Sequence, residues 1–121
     1  MQDFKDLQVW QKAHELTIEV YRTTQAFPRL EQFGLTAQMR RASESIPANI
    51  AEGCGRKSQR EFAQSLHLAI GSANELEYHL LLAADLSYVE RMAQRDLDIR
   101  IAEVRKMLSD LARRVRSASK V

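Results

Sequence analysis

The sequence predicts an all-α protein, an antiparallel up-down-up-down four-helix bundle whose second helix is kinked at Pro47. Three observations carry that prediction. Apolar residues recur at three- and four-residue steps in four successive segments, the spacing of one helix face. Only two Pro and four Gly punctuate 121 residues, and aromatics are 7%, so the turns and side chains of a many-stranded sandwich or barrel are missing. The connections are short, which makes consecutive helices antiparallel. Residues 1–121 fit a single domain, and a chain this long buries roughly two-thirds of the surface its unfolded form exposes without needing staples.

The first helix is expected from about Asp6 to Gln25, with Leu7, Trp10, Ala13, Leu16, Val20 and Tyr21 as its apolar face. Phe27-Pro28 ends it, because Pro disfavours α geometry in the residue before it. The second begins near Glu31 to Leu35 and runs to about Glu52. Its stripe of Leu35, Met39, Ala42, Ile46 and Ile50 keeps its phase across Pro47, so a kink that frees the Ser43 carbonyl is expected rather than a break. Gly53 and Gly55 read as its C-terminal stop. Ser58-Gln59-Arg60-Glu61 is a capping box that opens a third helix running to about Leu86. The fourth spans about Arg91 to Ser117, and Leu97, Ile101, Val104, Leu108, Leu111 and Val115 alternate steps of four and three.

Several functions have no support in this composition. One cysteine allows neither an intrachain disulfide nor a Cys-based four-ligand zinc site. The acidic N-terminus lacks the apolar region of a signal peptide, and the longest uncharged stretch, Phe62 to Asn74, is too short and polar to span a bilayer. A cytoplasmic protein without membrane contact is expected. The net charge of +2 permits nucleic-acid contact without arguing for it.

Side chains capable of chemistry are scattered. His14, His67 and His79 have no metal-binding spacing and read as surface or boundary residues. Cys54 sits in a turn beside Arg56 and Lys57, which would lower its pKa, but no His accompanies it as a base. Gly53-Cys54-Gly55-Arg56-Lys57-Ser58 fails the phosphate-loop spacing. What survives is a candidate anion site at Arg56, Lys57 and Ser58, where cations meet a helix N-terminus. Asn49 and Glu52 read as structural polar staples, Asn49 on backbone loosened by Pro47 and Glu52 on Arg56 or Arg60. No catalytic residue, metal, cofactor or small-molecule substrate is expected.

Two surfaces stand out. On the third helix, Phe62, Leu66, Ala69, Ala73, Leu76 and Leu80 form a core face, and about 180° away lie Leu68, Gly71, Glu75, Tyr78, Leu82 and Leu86. A helix apolar on two sides is buried on two sides, so the second stripe predicts a subunit interface. On the fourth helix, Arg105, Lys106, Arg113, Arg116 and Lys120 project within about a 100° sector, a candidate phosphate-tracking stripe. Pairing of Asp110 with Arg114 and of Glu103 with Lys106 would neutralise part of it.

A resemblance adds to this reading. Phe4-Lys5-Asp6-Leu7, Val9-Trp10-Gln11-Lys12-Ala13, Phe27-Pro28 and Gly34-Leu35-Thr36-Ala37-Gln38-Met39-Arg40-Arg41-Ala42 come first. Ser45-Ile46-Pro47-Ala48-Asn49-Ile50-Ala51-Glu52-Gly53 and Ala69-Ile70-Gly71-Ser72-Ala73-Asn74-Glu75-Leu76-Glu77 follow. In that order they resemble the bacterial four-helix-bundle family named for the 23S ribosomal RNA intervening-sequence protein, which is related in structure to the accessory variability protein of diversity-generating retroelements. The resemblance implies a cyclic homopentamer without enzymatic activity. The expectation is therefore a non-enzymatic homo-oligomeric adaptor that binds structured RNA, or a nucleic-acid-processing or ribonucleoprotein partner, through basic surfaces. The alternative is a protein–protein scaffolding oligomer with no nucleic-acid role.

Overall fold

The computed structural model describes residues 3–119. Four helices carry them, α1 (Gln8–Thr24), α2 (Leu35–Cys54), α3 (Gln59–Asp85) and α4 (Arg91–Ser119), with single 3-10 turns at Phe4–Asp6 and Arg29–Glu31 ahead of α1 and α2. The expected all-α bundle is what forms, and no strand occurs among the described residues. α1 packs on α2 and α4, and α3 packs on α2 and α4, so α1 and α3 stand at opposite corners of a square. Cross-helix bonds show the antiparallel order. Thr17 meets Ser43 while Thr24 meets Arg40, and Asn74 meets Arg105 while His67 meets Arg116.

The core is built from one stripe per helix. The α2 stripe is wholly buried as expected, and on α4 only Leu111 yields its place, to Ala112. The α1 stripe is rotated from the expected one. Val9, Thr17 and Thr24 are buried, whereas Leu7 and Trp10 are half-buried and Tyr21 is exposed. The two threonines can enter because their hydroxyls are bonded, Thr24 Oγ1 donating to Val20 O at 2.8 Å and Thr17 Oγ1 facing Ala13 O at 3.1 Å.

α2 passes through Pro47 as one helix. The ring removes the N–H that would serve Ser43 O, and Thr17 of α1 supplies the replacement, its Oγ1 donating to Ser43 O at 2.9 Å. Asn49 Nδ2 donates to Ser45 O at 2.7 Å in the same stretch, the stapling role its sequence position implies.

The glycines that follow have different tasks from the paired stop expected of them. Gly55 is the C-cap, with φ −89°, and its N–H donates to Glu52 O at 3.1 Å. Gly53 lies inside α2 and is buried where α2 meets α3. A Cβ there would stand 2.8 Å from both Phe62 Cδ1 and Ser65 Cβ. Ser58 then caps α3, Oγ accepting from the Glu61 N–H at 3.1 Å.

α3 stops without a glycine. Ser87 adopts φ +64°, Ser87 N–H donates to Ala84 O at 2.9 Å and Tyr88 N–H to Ala83 O at 2.9 Å. A left-handed non-glycine residue costs roughly 1–2 kcal/mol. Ser87→Gly is therefore expected to raise the thermal midpoint by a few degrees, read by far-UV circular dichroism; a lower midpoint would show that the serine side chain is needed.

Candidate functional site

The outer face of α3 departs from what a self-sufficient bundle needs. The 27-residue helix turns its core stripe inward, and the opposite side carries Leu68, Gly71, Glu75, Tyr78, Leu82 and Leu86 into or towards solvent. Leu68 is 63% exposed, Tyr78 59% and Leu86 47%; Leu82 is half-buried against the core. Gly71 lies in mid-helix with nothing within 4 Å of where a Cβ would stand. A helical glycine costs about 1 kcal/mol relative to alanine, and no contact among the described residues requires it. Glu75 Oε2 lies 3.1 Å from His79 Nε2, one turn on. The sequence-predicted interface stripe is thus brought together on one face, with Leu82 shared between that face and the interior.

The basic sector of α4 meets its own carboxylates. Arg105 makes a forked contact with Glu77, at 2.9 and 3.4 Å, and a further bond to Asn74 Oδ1 at 3.1 Å. Lys106 and Arg113 both reach Asp110, at 3.4 and 2.5 Å, and these two cations hold the Asp110 carboxyl below its ordinary range, the Lys106 hydrogen bond first. Asp110 therefore serves Lys106 and Arg113 rather than Arg114, and Glu103 turns to Lys12 of α1 at 3.5 Å rather than to Lys106. Arg116 Nη1 stands 3.2 Å from His67 Nε2. Lys120 lies outside the described residues. At the α2–α3 turn Arg56 pairs with Glu52, and Ser58 Oγ is occupied by the Glu61 N–H, while Lys57 is exposed.

The histidines and the cysteine stand apart from one another in the described residues. His14 and His67 are exposed, but His79 is buried rather than at a boundary, because α3 turns it towards the bundle; its Nδ1 has no hydrogen-bond partner among the described residues. Among the described residues no three of His, Cys, Asp and Glu gather to hold a metal ion. Cys54 is buried, and burial pushes its thiol pKa up, with Asp3 adding to the rise. That is opposite to the lowering its basic neighbours suggest in sequence. No helix among the described residues is long and apolar enough to cross a membrane.

The surface that sequence reasoning missed lies between α1 and α2. Phe4 meets Trp10 edge-on with centroids 4.9 Å apart, and Trp10 stacks on His14 at 5.0 Å and 7°. These rings wall an apolar groove floored by Pro47, Ala48 and Ala51. Further along, Phe33 is 89% exposed beside Tyr21, Ala37 and Arg41. Assigning Trp10 and Tyr21 to the core concealed the groove; its signal was the aromatic residues on the outer side of α1 together with the small residues Ala48 and Ala51 on α2.

These features define a four-helix bundle with exposed apolar side chains on α3 and a basic sector on α4. The pattern of the 23S rRNA-intervening sequence protein family matches residues 5–110, and the chain belongs to that family. It is also similar to a crystal structure, at 1.70 Å resolution, of a protein of unknown function from the S23 ribosomal protein family of Bacteroides thetaiotaomicron VPI-5482. The identity is 27% and the TM-score 0.78, over 86% of this chain and 97% of that one. Among curated proteins none matches the chain.

Proposed function

We propose that the protein is a non-enzymatic homo-oligomeric scaffold, and that the outer face of α3 is a contact surface between its copies. The carrying observation is the row of exposed apolar residues on that face, with Gly71 among them unexplained by any contact among the described residues. Single exposed leucines are ordinary, but several exposed apolar side chains aligned on one helix face mark an interaction site. A glycine there lets a second backbone approach closely. Five copies is the number the family resemblance implies.

Nucleic-acid binding is the second reading. The concentration of nine cations between Arg91 and Val121 favours it, as does a family description that names a ribosomal RNA. The bonds of Arg105, Lys106 and Arg113 to carboxylates weigh against it, since those cations would have to exchange partners to release phosphate counterions.

The experiment measures both. Light scattering on the wild-type chain should show an oligomer at micromolar concentration. The double variant Leu68→Glu, Tyr78→Glu should be a monomer with unchanged helicity; Leu82→Glu is a poorer probe because Leu82 also packs on the core. Filter binding to structured RNA at two salt concentrations should show little retention by the oligomer at the lower one. Steeply salt-dependent retention, with a slope flattened by replacing Arg105, Arg113 and Arg116 by Gln, would transfer the function to nucleic acid.

A further inference from the structure

We propose that the groove between α1 and α2 is the seat for the α3 outer face of a neighbouring copy, so that copies join head to tail. This rests on the self-association reading above and names the surface that receives the α3 stripe.

The groove is long enough to take a helix. It consists of two hollows along α2, each of about 360 Å³, which meet at Glu44, where the Tyr21 hydroxyl donates across from α1. From Ala37 to Ala51 the floor spans ~21 Å at 1.5 Å per residue, against ~27 Å for the stripe from Leu68 to Leu86. Alanines keep the floor low, and the Phe4–Trp10–His14 ladder and Phe33 raise apolar walls. An apolar helix face laid between such walls is a recurring mode of recognition. Across from it, Leu68, Tyr78 and Leu86 are the projecting side chains, and Gly71 removes the one that would hold the backbones apart.

Charge complementarity selects the same occupant. Glu44 accepts a hydrogen bond from the Tyr21 hydroxyl, while Arg41, exposed beside it, has no partner among the described residues. The α3 stripe has one charged residue, Glu75, whose side chain is 58% exposed and whose neighbour within the chain is the His79 ring. A cation in the groove therefore faces an anion in the stripe.

Symmetry decides between this arrangement and its rival. α3 packs on α2 and α4 and not on α1, so its outer face and the α1/α2 groove look out from different sides of the square. A two-fold contact of α3 with α3 would cover the stripe and leave the groove and Phe33 in water. A heterologous contact covers both unlike surfaces in every copy of a closed ring.

The test uses interface variants alone and mixed. Ala48→Arg places a long cation on the exposed groove floor, and Leu68→Glu, Tyr78→Glu spoils the stripe. Light scattering should find each variant monomeric, and a 1:1 mixture at tens of micromolar should give a heterodimer, because one intact groove then meets one intact stripe. If Ala48→Arg assembles like the wild type while the α3 variant is monomeric, the groove is overturned and self-association through α3 stands. If both are monomeric and the mixture stays so, head-to-tail pairing is overturned. A monomeric wild type overturns this proposal and the reading beneath it together. Should Ala48→Arg lose its helical circular dichroism, Arg41→Glu decides instead. It should weaken association on the order of tenfold, and adding Glu75→Arg to the same chain should restore it; no weakening by Arg41→Glu overturns the proposal.

Discussion

Gly53→Leu lowers the thermal midpoint by more than 10 °C, whereas Gly71→Ala raises it in a chain held monomeric by Leu68→Glu, Tyr78→Glu. At Gly53 a Cβ alone stands 2.8 Å from the Phe62 ring and from Ser65 Cβ, and the second of those atoms is fixed to the α3 backbone. α2 and α3 must separate to admit a leucine, an overpacking cost of about 3 kcal/mol or more. A domain of this size loses roughly 3–6 °C per kcal/mol. Gly71 is the opposite case. Nothing lies within 4 Å of its would-be Cβ, so alanine should stabilise α3 by about 1 kcal/mol. In the otherwise wild-type chain the same methyl should weaken assembly, because it occupies the space a second copy needs. Melts followed by circular dichroism, with light scattering on the same samples, check both signs. A Gly71→Ala chain that is more stable and no less associated would remove Gly71 from the interface.

Those two glycines also show where sequence legibility ends. The stripes of α2 and α4 and the cap at Ser58 could be read directly, because helix period and capping are local properties. A glycine near a helix end reads equally as a stop or as a close approach, and the distinction at Gly53 depends on Phe62 and Ser65 across the hairpin. The outer stripe of α3 was legible because it too obeys the helix period. The state of the basic sector was not. The i,i+4 rule finds Lys106 with Asp110 only as one choice among several, and Arg105 is occupied by Asn74 and Glu77 of another helix. The α1/α2 groove was hidden by a rotation of α1 that buried hydroxyls permit. Threonines at Thr17 and Thr24 look like solvent-side residues until their acceptors are known.

Thr17 leads to the second large effect, an energetic coupling between α1 and Pro47. Ser43 is fully buried, and its carbonyl has lost its intrahelical donor to the proline ring. Thr17→Val keeps the shape and nearly the helix propensity of the side chain but removes the hydroxyl. It leaves a buried acceptor without a partner, at a cost of about 1–3 kcal/mol. Pro47→Ala alone should keep the fold and change stability only modestly, since the regained backbone bond offsets the packing lost with the ring. In the double variant the new N–H of residue 47 serves Ser43 O, so Thr17→Val then costs little beyond its 3.1 Å contact with Ala13 O. The expected coupling is therefore on the order of 1–2 kcal/mol. Urea unfolding of the four chains in the monomeric background measures it. Strict additivity within about 0.3 kcal/mol would mean that Thr17 does not replace the donor that Pro47 removes. A coupling of the expected size would mean that the helix break written into α2 is repaired by α1. The proline then acts as a register pin between those two helices, fixing the floor of the groove that lies directly above it.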